Sequence, residues 1–178
     1  MNTTRLYWDM LVKDPQGLPD DPRNILQNVQ GDKIVGFSKK NGAGFLSNFH
    51  PSTITFEGSL YPTVEHAYQA SKTLDVDCRR LIRSASSPND AKRLGRSITL
   101  RHDWNEVKVQ LMRFLVKEKF KNPFLRHLLV STGDLRLINE NRWNDKFWGM
   151  VDGAGENWLG KILEEVRSEA KAEDYDDS

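Results

Sequence analysis

The chain reads as an α+β fold: a mostly helical single domain with a small β-sheet. Three observations predict this. Apolar residues recur at helical spacing, most clearly between Asp103 and Phe120, where Trp104, Val107, Leu111, Phe114 and Leu115 repeat. β-Branched residues gather in only a few short runs, notably Ile34-Val35-Gly36-Phe37 and Ser52-Thr53-Ile54-Thr55-Phe56. The 178 residues are 38% hydrophobic with no apolar run near membrane-spanning length, which suits one core and no membrane span.

Residues 1–31 are expected to be an N-terminal extension draped on the core. They carry Tyr7, Trp8, Met10 and Leu11, then the turn-rich Asp14-Pro15-Gln16-Gly17 and Pro19-Asp20-Asp21-Pro22. The main domain is placed at 32–170. It opens with the Ile34–Phe37 strand and a flexible turn at Asn41-Gly42-Ala43-Gly44. The Ser52–Phe56 strand turns at Glu57-Gly58. A helix follows Tyr61, with Pro62 in its first turn and Thr63 as cap.

Asp77 to Ala85 is expected to be helical, with Leu81 and Ile82 inward and the arginines outward. Ser87-Pro88-Asn89-Asp90 starts a short helix that Gly95 stops. After the Asp103–Phe120 helix, Pro123 opens another through Leu125, Leu128 and Leu129. Leu135–Ile138 suits a strand, Asn157 to about Ala170 a last helix, and 171–178 an acidic tail.

Net charge is only +1, which disfavours non-specific nucleic-acid binding. Its distribution is uneven. Arg79, Arg80, Arg83, Lys92, Arg93, Arg96 and Arg101 face the single acid Asp90 over one stretch. That patch suits a pyrophosphate or a DNA end, or else a solvated helical face. The lone Cys78 cannot form an internal disulfide. Together with the absence of a signal-like apolar segment after Met1, it suggests a cytoplasmic setting. Cys78 follows Asp75 and Asp77, which disfavour a thiolate nucleophile.

Several standard sites are missing: a phosphate loop, a nucleophile elbow and a His-Glu-x-x-His zinc motif. His50, His66, His102 and His127 show no metal-ligand spacing with Cys78, so no metal site is expected. The chemistry-bearing stretch is Tyr61–Lys72. At 3.6 residues per turn Glu65, Gln69 and Lys72 share one stripe with Tyr68 beside it, and Val64, Ala67 and Ser71 form a small-residue face. By spacing alone this is either a reactive cluster or a solvated salt-bridge face. A second stretch, Asn144 to Gly160, places glycines ahead of a helix, where phosphate can dock or the chain can simply turn.

These residues, taken in order from Ile34 to Arg167, resemble the YbiA-like family, also called NADAR (NAD- and ADP-ribose-associated). The resemblance is carried by Ser47-Asn48-Phe49, Pro62-Thr63 with Glu65-His66, Tyr68-Gln69-Ala70 and Lys72. Ser87-Pro88, Ala91 and Gly95-Arg96 fit the family's middle, and Trp104, Val107-Lys108, Met112 and Lys119-Phe120 fit the helix after it. Asp145, Trp148-Gly149, Gly155, Asn157, Leu159-Gly160 and Arg167 fit its end. Met150-Val151 departs from the family, which usually has an extra glycine there, so the family's shape for that wall of the pocket does not carry over.

The resemblance implies the YbiA-like fold and an N-glycosidase that cleaves the bond between ribose C1′ and a base nitrogen. It implies two substrate groups: early riboflavin-pathway intermediates, and ADP-ribosylated guanine, free or in DNA. Glu65 would stabilise the oxocarbenium-like sugar and activate water. Asp145 would be a second carboxylate or positioning group. Lys72 would be an ion-pair partner, or an amine forming a Schiff base with the opened sugar. Substrate contacts would come from Phe37, Ser47, Asn48, Phe49, Tyr68, Gln69, Arg96, Trp148, Gly149 and Asn157, without metal or redox cofactor. Two alternatives stand: a module that binds ADP-ribose or NAD without hydrolysing it, and a structural partner using the extension and tail. The oligomeric state is left open.

Overall fold

A computed structural model describes residues 29–176 apart from Lys39 and Asn41. The expected N-terminal extension, including Tyr7, Trp8, Met10 and Leu11, lies outside the described residues but for its last three. The described strands are β1 (Val29–Gln30), β2 (Lys33–Val35), β3 (Ile54–Phe56), β4 (Ser59–Tyr61) and β5 (Arg136–Ile138). The helices are α1 (Val64–Ser71), α2 (Val76–Arg83), α3 (Pro88–Leu94), α4 (Trp104–Phe120), α5 (Pro123–Ser131) and α6 (Trp158–Asp176). One sheet has the order β1-β2-β5, antiparallel then parallel; β3 and β4 form a separate hairpin. The described residues form an α+β fold with six α-helices and two small sheets.

α1 is the centre of the molecule. All eight of its residues are buried, and α2, α3 and α4 pack around it. Its free N-terminal amides are satisfied from two directions: the Thr63 side chain accepts from the His66 N–H, and the Asn48 carbonyl from the Glu65 N–H at 3.0 Å. That second bond fixes the Ser47-Asn48-Phe49 element against the helix that carries Glu65. Tyr61 ends strand β4, and Pro62 precedes the cap rather than lying in the first helical turn, its carbonyl accepting from the Ser52 N–H at 3.1 Å. The hairpin turn holds Glu57 and Gly58 at φ 45° and 72°, the backbone hand that a two-residue hairpin needs.

The core departs from the periodicity in three places. Ile82 is buried but Leu81 is 57% exposed, because α2 is covered on one side only. Phe114 is 45% exposed and packs its ring at a tilt of 58° against the hairpin's Phe56, while Met112, Leu115, Val116 and Phe120 take the interior. Arg79 is not an outward arginine: it donates to the Thr73 carbonyl at 2.7 Å, pairs with Glu57 and lies over the Phe56 ring.

Lys119, a charge on an apolar helix face, is also buried. Its Nζ donates to the Ser47 carbonyl at 2.8 Å and lies near the Phe120 ring, so burial is compensated while the Ser47 element is anchored. At the other end, α6 continues through Lys171–Asp176, which the sequence suggested as a tail. Lys171 reaches the Gly133 carbonyl at 2.8 Å and Asp134 at 2.7 Å, and Glu173 pairs with Arg126.

Candidate active site

A cleft of about 1180 Å³ opens beside α1, bounded by α3, α4, the Ser47–Phe49 element and the loop after β5. Glu65, Lys72, Asp145, Phe37, Ser47, Asn48, Phe49, Tyr68, Gln69, Arg96 and Trp148 all line it. The Glu65 stripe is therefore not a solvated salt-bridge face. Glu65 is only 6% exposed and Gln69 only 3%. Gln69 Nε2 donates to Glu65 Oε1 at 2.7 Å, using the i, i+4 spacing as an orienting hydrogen bond. Burial pushes the Glu65 carboxyl above the usual glutamate range, against the Gln69 bond and the charges of Lys92, Lys72 and Arg96.

Gly95 explains how Gln69 fits. A Cβ at that position would lie 2.0 Å from Gln69 Oε1 and 2.8 Å from its Cβ. Gly95→Ala is expected to displace Gln69 and cost about 1–3 kcal/mol of stability by overpacking. Thermal melting reads the cost; an unchanged melting temperature would mean that the amide moves aside freely.

Lys72 caps the C-terminal end of α1 within an aromatic wall. Its Nζ lies 5.6 Å from the Tyr68 ring centroid and 5.9 Å from that of Trp104. Burial lowers its pKa from the usual lysine range; Lys92 and Arg96 push the same way and Glu65 opposes them. Tyr68 packs edge-on to Trp148 with centroids 5.4 Å apart, and its phenol is pushed up by burial and by the Glu65 charge. Lysine and tyrosine thus face one buried carboxylate from the same two helical turns.

Asp145 lines the cleft, but its Oδ1 serves the backbone, accepting from the Trp148 N–H at 2.8 Å and the Phe147 N–H at 3.2 Å. This turn presents Trp148 to the cleft, so the geometry favours the positioning side of the two roles raised for Asp145. Gly149 and Asn157 do not line the cleft. A Cβ at Gly149 would lie 2.1 Å from the Asn139 carbonyl, so the residue permits close packing on the strand end. Asn157, at φ 54°, donates to the Leu137 carbonyl at 2.9 Å and accepts from the Asn139 N–H at 2.9 Å. It joins β5 to α6 from behind the site.

The basic stretch divides in two. Lys92, Arg93 and Arg96 line the cleft; Arg79, Arg80 and Arg83 are not among its lining residues. With Lys72, Lys108 and Arg142 the lining holds six cations against the acids Glu65, Glu140 and Asp145, a balance that favours phosphate-bearing ligands. Lys108, Arg142, Trp143 and Trp104 escaped the sequence reading as site residues. Trp104 has a core-like position in the periodicity, and no local pattern marks which lysine faces a cleft. His66 is structural: its Nδ1 meets the Thr63 hydroxyl at 2.8 Å and its Nε2 the Ala85 carbonyl at 3.2 Å, and burial lowers its pKa. Among the described residues no group of three or more His, Cys, Asp or Glu is placed to hold a metal. No described helix is long and apolar enough to cross a membrane.

The NADAR domain family profile matches residues 36–171. The chain belongs to the NADAR family. It is 40% identical over 153 residues to the N-glycosidase YbiA of Escherichia coli, covering 83% of this chain and 95% of that protein. It is 43% identical over 135 residues to an N-glycosidase of Nostoc punctiforme, covering 72% and 86%. A riboflavin biosynthesis protein of Vibrio vulnificus is 41% identical over 150 residues, 82% of this chain but only 41% of that longer protein. The NMR structure of the E. coli YbiA protein superposes with a TM-score of 0.75 at 37% identity, covering 89% of this chain and 95% of that one. These relatives place the chain among hydrolases acting on N-glycosyl bonds.

Proposed function

We propose that the cleft hydrolyses the C1′–N bond of a phosphorylated, ribosylated base, with ADP-ribosylated guanine nucleotide or an early riboflavin-pathway intermediate as substrate. One observation carries this reading: a buried carboxylate, Glu65, oriented by Gln69 and ringed by Lys72, Lys92 and Arg96 in an aromatic-walled cleft. As the base departs with the C1′–N electron pair, positive charge develops on the sugar. Glu65 stabilises that charge and takes a proton from the attacking water. A carboxyl raised toward neutrality exchanges protons readily at working pH. Phosphate oxygens on the substrate meet the cationic lining, and Trp148 and Phe49 offer faces to a heterocycle.

Lys72 supports a covalent variant of the same reaction. Its amine nitrogen bonds to C1′ as the base departs, and ring opening, with a proton taken up by the ring oxygen, leaves a Schiff base. Water then hydrolyses the C=N bond and returns the free amine. The lowered pKa of Lys72 favours the neutral amine this route needs. A reducing cytoplasmic setting suits the single Cys78, whose thiol is pushed up by its local packing and by Asp75 and Asp77.

The test is incubation with each candidate substrate, with free base followed by mass spectrometry. Binding of ADP-ribose without base release from any of them would favour the non-catalytic binding module. A second measurement addresses DNA. Reversing the exposed Arg80 and the half-buried Arg83 to glutamate is expected to change base release from modified nucleotide and from modified DNA by no more than about twofold each, since neither charge lines the cleft. A selective loss on DNA would assign that face to guiding a nucleic-acid strand.

A further inference from the structure

The side chain that orients Glu65 has a second polar end with nothing to bind. Gln69 Nε2 donates to Glu65 Oε1 at 2.7 Å, but Gln69 Oε1 is closed off from solvent and, among the described residues, meets no hydrogen-bond donor. Gly95 packs directly on that oxygen. A Cβ there would lie 2.0 Å from it, so no water fits between the two. A dry, unpaired carboxamide oxygen is costly, and its presence beside a reactive carboxyl has a physical cause.

The cause lies in the proton state of Glu65. An ionised carboxylate only accepts hydrogen bonds, so the amide must turn its N–H end to Glu65 and leave its oxygen against Gly95. A protonated Glu65 has an O–H to donate, and the carboxamide oxygen then becomes the better partner. The terminal torsion of glutamine is roughly two-fold, the two ends of the amide are similar in size, and Gly95 carries no side chain to obstruct their exchange. Burial holds the Glu65 pKa above the usual glutamate range, which favours the protonated form. The other charged or titratable groups around the carboxyl are Tyr68 and Lys72 on α1, Lys92 on α3 with Arg96 just after it, Lys108 on α4 and Asp145 in the loop after β5. None of them donates to Gln69 Oε1.

We propose that Gln69 is a positioning residue whose amide rotates half a turn as Glu65 ionises in the free enzyme, accepting from the carboxylic acid through Oε1 and donating to the carboxylate through Nε2. This rests on the reading of Glu65 as the base of an N-glycosidase. The Glu65 O–H is the only covalent bond that changes, and its proton goes to solvent. Gln69 thereby holds the same carboxyl oxygen, Glu65 Oε1, in both proton states. The plane of the carboxyl stays fixed, and Oε2 is left to take the proton from the attacking water.

The experiment is an NMR titration of the free wild-type protein. The Glu65 carboxyl carbon reports ionisation, and the nuclear Overhauser effect between the Gln69 side-chain amide protons and the Gly95 α-protons reports which end of the amide faces Gly95. That signal is expected to be several-fold stronger while Glu65 is protonated and to fade with the same midpoint as the carboxyl. A signal that stays constant while Glu65 titrates overturns the rotation. Q69M keeps the bulk of the side chain and loses both bonds. It is expected to lower kcat/KM for base release about tenfold or more, the worth of one hydrogen bond to a charged group. The acid limb of its pH profile should move to higher pH, because the ionised form loses the stronger of the two bonds. An unchanged rate and pH profile in Q69M overturns the positioning role. Absence of base release by wild type would fail the glycosidase reading, while the titration of the free protein still decides the rotation.

Discussion

Glu65→Gln is expected to lower base release by about a thousandfold, within the range for removing a group that transfers a proton and meets developing charge. The amide keeps the shape and a hydrogen-bonding oxygen for Gln69, so packing around α1 is preserved. It cannot supply negative charge to the sugar or accept the water proton. Stability should move the other way. A carboxyl whose pKa is raised by folding binds its proton more tightly in the folded protein than in the unfolded chain. The folded state therefore loses stability as pH rises from the ordinary glutamate range up to that raised value. Replacing the ionisable group removes this loss, so the variant should melt at or above wild type at neutral pH. Folded Glu65→Gln with near-normal turnover would reduce Glu65 to a packing residue.

Lys72→Arg should abolish turnover if the amine attacks the sugar, because a guanidinium keeps the charge but stays protonated. Borohydride added during wild-type turnover should then trap a covalent adduct, since reduction turns the C=N bond into a stable amine. Its mass should equal the sugar portion without the base, and peptide mapping should place it on Lys72. The pH profile separates the two accounts with the sign made explicit. Burial lowers the Lys72 pKa, so neutral amine accumulates as pH rises through that lowered value. Covalent catalysis gains rate across this interval, whereas a Lys72 needed only as a cation loses rate across it. Substantial turnover by Lys72→Arg, with no wild-type adduct, would leave direct water attack as the mechanism.

Both predictions concern residues that were legible as a pattern before any geometry was known. The stripe of Glu65, Gln69 and Lys72 follows from helical spacing, and Thr63 as cap from its place before the apolar helix. The resemblance also named Ser47, Asn48, Phe49, Asp145 and Trp148, all of which line the cleft. Spacing could not distinguish a wet salt-bridge stripe from a buried site, because both require the same residue types on the same face. Burial decided it, and burial of α1 comes from α2, α3 and α4, contributed by segments downstream.

The misread residues share a physical cause. Phe114 and Leu81 are apolar and correctly spaced, but each helix meets neighbours over only part of its circumference, so periodicity fixes a face without fixing what covers it. Asn157 and Gly149 share a segment with Trp148, yet a left-handed backbone and a close approach to the β5 strand end turn them to packing behind the cleft. Arg79 belongs to the same basic run as Arg96 but folds onto the hairpin, while Lys92 spans the mouth between Phe49 and Trp143. The sequence by itself determined the fold class, the central helix and the stripe of Glu65, Gln69 and Lys72 along it, because these depend on local spacing and residue chemistry. Only the tertiary structure decided which charges share the cleft and which aromatics face it, because both depend on approach between segments far apart in the chain.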